Sequence, residues 1–148
     1  MKKLLVLLLF AFVAQAQSSF EKKSFETKDT LSDQIFTKSD DGFDMREEIR
    51  KRLLEISDNF VDTLGIELFI HDIVLTGSLS NYNWSQYSDV DLHILIDFDE
   101  IDGMKGKDSI ILHTIMKEFF DAKKNVWNEK HNIKIKGFDV ELYVQDID

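Results

Sequence analysis

Five residues in this chain have the types and spacing to do chemistry: Gly77-Ser78, then Asp89 and Asp91 after ten intervening residues, and later Glu141. A strand ending in Gly-Ser brings backbone N–H groups and a hydroxyl close to whatever lies at its end, because glycine has no Cβ to hold a phosphate away. Asp89 and Asp91 stand two apart, so on a strand both carboxylates leave the same face, about 7 Å apart along it. Val90 and Leu92 fix that register, since a one-residue slip would bury both charges. Glu141 lies in a second alternating stretch and is the candidate third carboxylate. Three carboxylates held together repel, and one takes up a proton unless a cation intervenes. Mg²⁺, or Mn²⁺, is the expected cofactor, because hard divalent cations bind through carboxylates and substrate phosphates. Two such ions ~3.5–4 Å apart can activate an attacking oxygen and stabilise a leaving one. The expected chemistry is phosphoryl or nucleotidyl transfer, with Asp89, Asp91 and Glu141 as candidate cation ligands and Gly77 and Ser78 beside a phosphate.

The surrounding pattern supplies elements to position these groups. Asp44 and Glu47 stand at capping-box spacing, so a helix is expected to begin after Asp44. Met45, Ile49, Leu53, Ile56, Phe60 and Leu64 form its apolar face, and Gly65 is its stop. Ile70 to Thr76 reads as a strand. Val90 to Phe98 reads as another, with Val90, Leu92, Ile94 and Ile96 opposite Asp91, His93, Leu95 and Asp97. A loop over 101–107 leads to a helix from Asp108 to about Asn128, whose buried side is predicted to be Ile111, Leu112, Ile115, Phe119 and Val126. Strands are expected over 133–136 and 138–144, with Val140, Leu142 and Val144 facing away from Asp139, Glu141 and Tyr143. The order predicts an α/β or α+β domain, with helices packed against a mixed β-sheet.

Composition sets limits. One domain fits 148 residues. Twenty-eight Asp and Glu against 18 Lys and Arg leave a net charge of −10, which argues against a broad nucleic-acid-binding surface. A cation held between carboxylates can still bind a phosphate locally. The absence of cysteine excludes thiolate sites, disulfides and cysteine nucleophiles. Lys2-Lys3, the apolar run from Leu4 to Val13 and Ala14-Gln15-Ala16 together read as a signal peptide over 1–16. That leader predicts export, to a periplasm or outside the cell; the location is cytoplasmic if the start is misassigned. The run is too short for a transmembrane span of ~20 residues. Residues 17–41 are polar and read as a tether, which Phe20, Phe25, Leu31, Ile35 and Phe36 could dock loosely on the domain, leaving 42–148 as the domain.

Other residues have plain structural readings. Tyr82, Trp84 and Tyr87 could stack on a base or cap the core. His93 continues the Asp89-Asp91 face, where acidic neighbours would satisfy it. His71, His113 and His131 are scattered in sequence and suggest no histidine metal site. Lys134 and Lys136 read as edge-strand lysines.

Gly77-Ser78, the Asp89-Val90-Asp91-Leu92 segment and Val140-Glu141-Leu142 together resemble the hallmark of the polymerase-beta-type nucleotidyltransferase superfamily. The stretches 75–98 and 135–146 are similar to small nucleotidyltransferases of phages and bacteria. The resemblance implies the nucleotidyltransferase fold and transfer of a nucleoside monophosphate from an NTP to an acceptor hydroxyl. It also implies that Gly77-Ser78 contacts the triphosphate, Asp89 and Asp91 bind metal, and Glu141, commonly Asp in the family, helps activate the acceptor. The alternative is a non-catalytic domain of the same fold, acting as a binding or antitoxin-like module.

Overall fold

The structure, a computed structural model, describes residues 26–101 and 109–147. The leader over 1–16, the first part of the tether and all of the loop after Ile101 lie outside the described residues. Strands β1 (Phe36–Ser39) and β2 (Gly42–Met45) form an antiparallel hairpin, followed by helix α1 (Glu47–Asp62). Next come β3 (Ile70–Thr76), β4 (Val90–Ile96), a short 3₁₀ turn (Phe98–Glu100), α2 (Ser109–Lys130), β5 (Lys134–Ile135) and β6 (Phe138–Asp146). The larger sheet has the order β3-β4-β6-β5, with β4 and β6 parallel and the other pairs antiparallel. Among the described residues, two helices and a mixed sheet make the α+β arrangement expected from the sequence. Among the described residues no helix is long and apolar enough to cross a membrane.

One face of the sheet carries the core. Val90, Leu92, Ile94 and Ile96 of β4 are each 1% exposed, while the residues between them are half-buried. Ile49, Leu53, Ile56 and Phe60 of α1 are buried in the same core. Met116, Phe120 and Trp127 of α2 join them, with Trp127 edge-on to Phe60 at 5.7 Å. Each such side chain contributes about 1.5–3 kcal/mol by leaving water. The opposite face bears Asp91, His93 and Tyr143, half-buried, and Glu141, exposed.

The central parallel pair needs its outer edge protected, because β5 covers only the start of β6. Asn128 of α2 does this: its amide donates to the Leu142 carbonyl (3.2 Å) and its side-chain oxygen accepts from the Leu142 N–H (3.3 Å). The hairpin between β5 and β6 turns at Lys136 and Gly137, both with positive φ, the geometry that matches strand twist.

Three sequence expectations are corrected. Asp44 is not a helix cap: it lies in β2 opposite Thr37, and α1 starts at Glu47 after Arg46 with no side-chain cap. Alternation of Phe43 and Met45 against β1 has overridden the capping spacing. The buried side of α2 is also rotated from the expected one. Ile111, Ile115 and Val126 are exposed, Leu112 and Phe119 are partly buried, and Met116, Phe120 and Trp127 fill the core. Finally, part of the segment read as a tether is folded: Ser32 and Ile35 are essentially buried and Phe36 opens β1.

Candidate active site

The five residues singled out in the sequence meet at one end of the sheet. β3 ends at Thr76, which lies opposite Asp91, and on its other side Asp91 lies opposite Glu141. Parallel pairing thus sets Asp91 and Glu141 side by side, ~4.8 Å apart in the backbone. Asp89 precedes the first residue of β4 on the same face. Beyond Thr76 the chain turns at Gly77 with φ 73°, and a Cβ there would stand 1.9 Å from Asp91 Oδ2. Glycine lets the turn close over the Asp91 carboxylate, because a side chain there would be strained at this φ and would displace the carboxylate.

Electrostatics report the same convergence. The Asp89 carboxyl is held above its usual range by burial first, then by Glu141 and Asp139, with Lys134 opposing. The Asp91 carboxyl is raised by burial, then by Asp89 and Glu141, with His93 opposing. Each therefore resists ionisation, first because burial disfavours the charged form and then because the neighbouring carboxylates repel it. Tyr143 donates its phenolic proton to Glu141 Oε2 at 2.5 Å. That bond, burial and the nearby negative charges push the phenol up to about 12. Asp139, on the same strand as Glu141, is instead paired with Lys134 at 2.5 Å. Of the two carboxylates that alternation alone leaves equivalent, Glu141 is thus the one without a cationic partner within salt-bridge distance among the described residues.

The loop between the motif halves is held at both ends. Ser78 Oγ donates to Ser88 Oγ (2.6 Å), which also accepts from the Ser85 N–H (2.9 Å). Leu79 is fully buried and pins the loop to the core. The Ser78 hydroxyl, expected on a nucleotide, is here engaged in closing the loop, and the exposed Gly77 turn offers backbone groups beside Asp91. Trp84 is also occupied: its indole N–H donates to the Thr30 carbonyl (2.9 Å) and the Lys28 ammonium lies 4.4 Å from its ring centroid. The Lys28 ammonium also donates to the Trp84 carbonyl, and the Lys28 N–H donates to the Tyr82 carbonyl at 2.6 Å. The N-terminal segment is therefore a strap across this loop, and Trp84 serves the strap. Tyr82 and Tyr87 remain largely exposed.

The donor chemistry of Asp89, Asp91 and Glu141 suits Mg²⁺ or Mn²⁺: all-oxygen, anionic, and at the mouth of a backbone turn. Their oxygens do not all lie within 4.8 Å of one another. Among the described residues the one set that close is His71, Asp97 and Glu100, at the opposite end of β3 and β4. The sequence reading missed it because a register irregularity between Ile70 and Asp72, invisible in the residue pattern, brings His71 toward the 3₁₀ turn. His71 and Glu100 are exposed and joined by a hydrogen bond at 3.0 Å, which accounts for their approach. No protein-family model, curated protein or solved structure matches the chain.

Proposed function

We propose that this chain is a metal-dependent nucleotidyltransferase of the polymerase-beta type, moving a nucleoside monophosphate from an NTP to an acceptor hydroxyl. The observation that carries this reading is the Thr76, Asp91 and Glu141 row, with the Gly77 turn closed onto the Asp91 carboxylate. A turn so close to a metal-binding carboxylate would set the triphosphate, held by backbone N–H groups, beside the cations. Asp89 and Asp91 would hold Mg²⁺ or Mn²⁺, with Glu141 as the third ligand. When bound, the ions would supply the positive charge that an acidic chain lacks toward a polyphosphate and would stabilise the leaving pyrophosphate.

The chain's own groups then have separable tasks. Gly77 gives the phosphates backbone access, Ser78 holds the loop in register through Ser88, and Glu141 accepts the acceptor's proton as its oxygen attacks the α-phosphorus. Glu141 is exposed on its sheet face, where an acceptor can reach it. The test is incubation of the protein with α-labelled NTPs and Mg²⁺, reading label on the protein, on added hydroxyl acceptors and as released pyrophosphate. Transfer by the wild type that is lost in Asp91→Asn supports the proposal; equal behaviour of the two overturns it.

A further inference from the structure

We infer that Tyr143 is the positioning residue for Glu141, an inference that rests on the reading of the carboxylate site proposed above. A glutamate on an open sheet face samples many rotamers, and that freedom is lost whenever the side chain must meet a ligand. Here the phenol of Tyr143, two residues on and on the same face, donates to Glu141 Oε2 at 2.5 Å and fixes it in advance. The phenol is itself held. The His93 ring stacks on it, with centroids 4.9 Å apart and planes 21° apart, and His93 Nδ1 lies 3.1 Å from Gln145 Oε1. From α2 the Lys124 ammonium reaches to 4.3 Å from the Tyr143 ring centroid. Behind this face the Asn128 amide locks the backbone of Leu142, between Glu141 and Tyr143.

The choice of donor has a chemical consequence. Asp139, on the same strand, is met by the Lys134 ammonium, which offsets its charge. Glu141 is met by a neutral hydroxyl, which orients the carboxylate and leaves its full charge for a cation or for an acceptor's proton. Tyr143 does not need to touch substrate to act; its effect passes through the direction in which Glu141 points.

The test compares wild type, Tyr143→Phe, Glu141→Asp and the double variant in NTP transfer with Mg²⁺, alongside Mn²⁺ binding followed by electron paramagnetic resonance. Phenylalanine keeps the stack on His93 and removes the hydroxyl. The expected result is a kcat lowered about ten- to a hundredfold, as for loss of a hydrogen bond to a charged group, with the KM for NTP within about twofold of wild type, as expected when binding itself is untouched. In Glu141→Asp the shorter side chain withdraws from the phenol, so Tyr143→Phe should add little to its loss. A wild-type kcat in Tyr143→Phe overturns the inference. So does an equal loss in both backgrounds, the mark of a general fold defect. A wild type that neither transfers nor binds Mn²⁺ overturns the nucleotidyltransferase reading, and this inference with it.

Discussion

Gly77 and Asp91 are in mutual contact through the absence of a side chain: a Cβ on Gly77 would stand 1.9 Å from Asp91 Oδ2, at a backbone φ of 73°. Gly77→Ala should therefore combine left-handed backbone strain, about 1–2 kcal/mol, with displacement of the carboxylate. The carboxylate end can swing away, so the fold survives and the site does not. Chemical denaturation should show a loss of about 1–3 kcal/mol, and NTP transfer should fall to the level of Asp91→Asn. An alanine variant with wild-type activity would separate the turn from the chemistry.

The raised carboxylates of Asp89 and Asp91 give the metal-free protein a pH signature. A group whose folded pKa lies above its unfolded value favours the folded state while protonated; that contribution is complete below the unfolded value, about 3.8, and is lost as pH rises through the folded value. At neutral pH both groups therefore weaken the metal-free fold, mainly through burial and mutual repulsion. Water screens part of this, because both are only half-buried. Asp91→Asn should raise the urea midpoint of the metal-free protein at about pH 7.5, and the gain should shrink as pH approaches about 4. A gain that stays constant across this range would count against carboxylate repulsion as its source.

How much of this was legible in the sequence depended on whether one periodicity had one solution. In β4 the alternation of Val90, Leu92, Ile94 and Ile96 admitted one register, and the site face followed from it. In α1 a single stripe through Ile49, Leu53, Ile56 and Phe60 gave the buried side. Helix α2 carries two apolar stripes. Ile111, Ile115 and Val126 recur at helical spacing as well as Met116, Phe120 and Trp127 do, and periodicity cannot rank them; packing buries the stripe with the larger aromatic volume. The N-terminal hairpin was illegible for a different reason. Its strands are four residues each, too short for alternation to stand out, and the segment before it is held by the Trp84 indole on Thr30 and by Lys28, contacts distant in sequence. The approach of Glu141 to Asp91 was legible as strand alternation, but their adjacency needed the parallel pairing of β4 and β6, which no local pattern encodes.

The chain is already part of the folded unit before that hairpin. Ile35 is 1% exposed within the common core, so it belongs to the domain and not to a linker. Ile35→Ala should cost about 2–5 kcal/mol, as for aliphatic truncation in a packed core. Substituting Ser39→Ala in the same hairpin should cost far less, because its buried hydroxyl has no partner to lose. Equilibrium urea unfolding of both variants checks this, and an Ile35→Ala protein as stable as wild type would return the segment to the status of a tether.

Cation binding should reverse the instability that the carboxylates create. An ion that binds only the folded state stabilises it by mass action, by about 2.7 kcal/mol at a hundred times its dissociation constant. At Asp89, Asp91 and Glu141 the same ion would offset both the burial of charge, the larger cause, and the mutual repulsion that hold the two aspartates above their usual range. Mg²⁺ or Mn²⁺ should thus raise the melting temperature of wild type, and an NTP added with the metal should raise it further. In Asp89→Asn the metal-free protein should melt higher than wild type, while its response to metal should be smaller. This crossing of baselines separates a built site from surface screening, since screening of a chain with net charge −10 would act on both proteins alike. His71→Ala, at the far end of the sheet, should respond to Mg²⁺ as wild type does; loss of the response there and its survival in Asp89→Asn would move the metal from the β4 start to the His71, Asp97 and Glu100 corner.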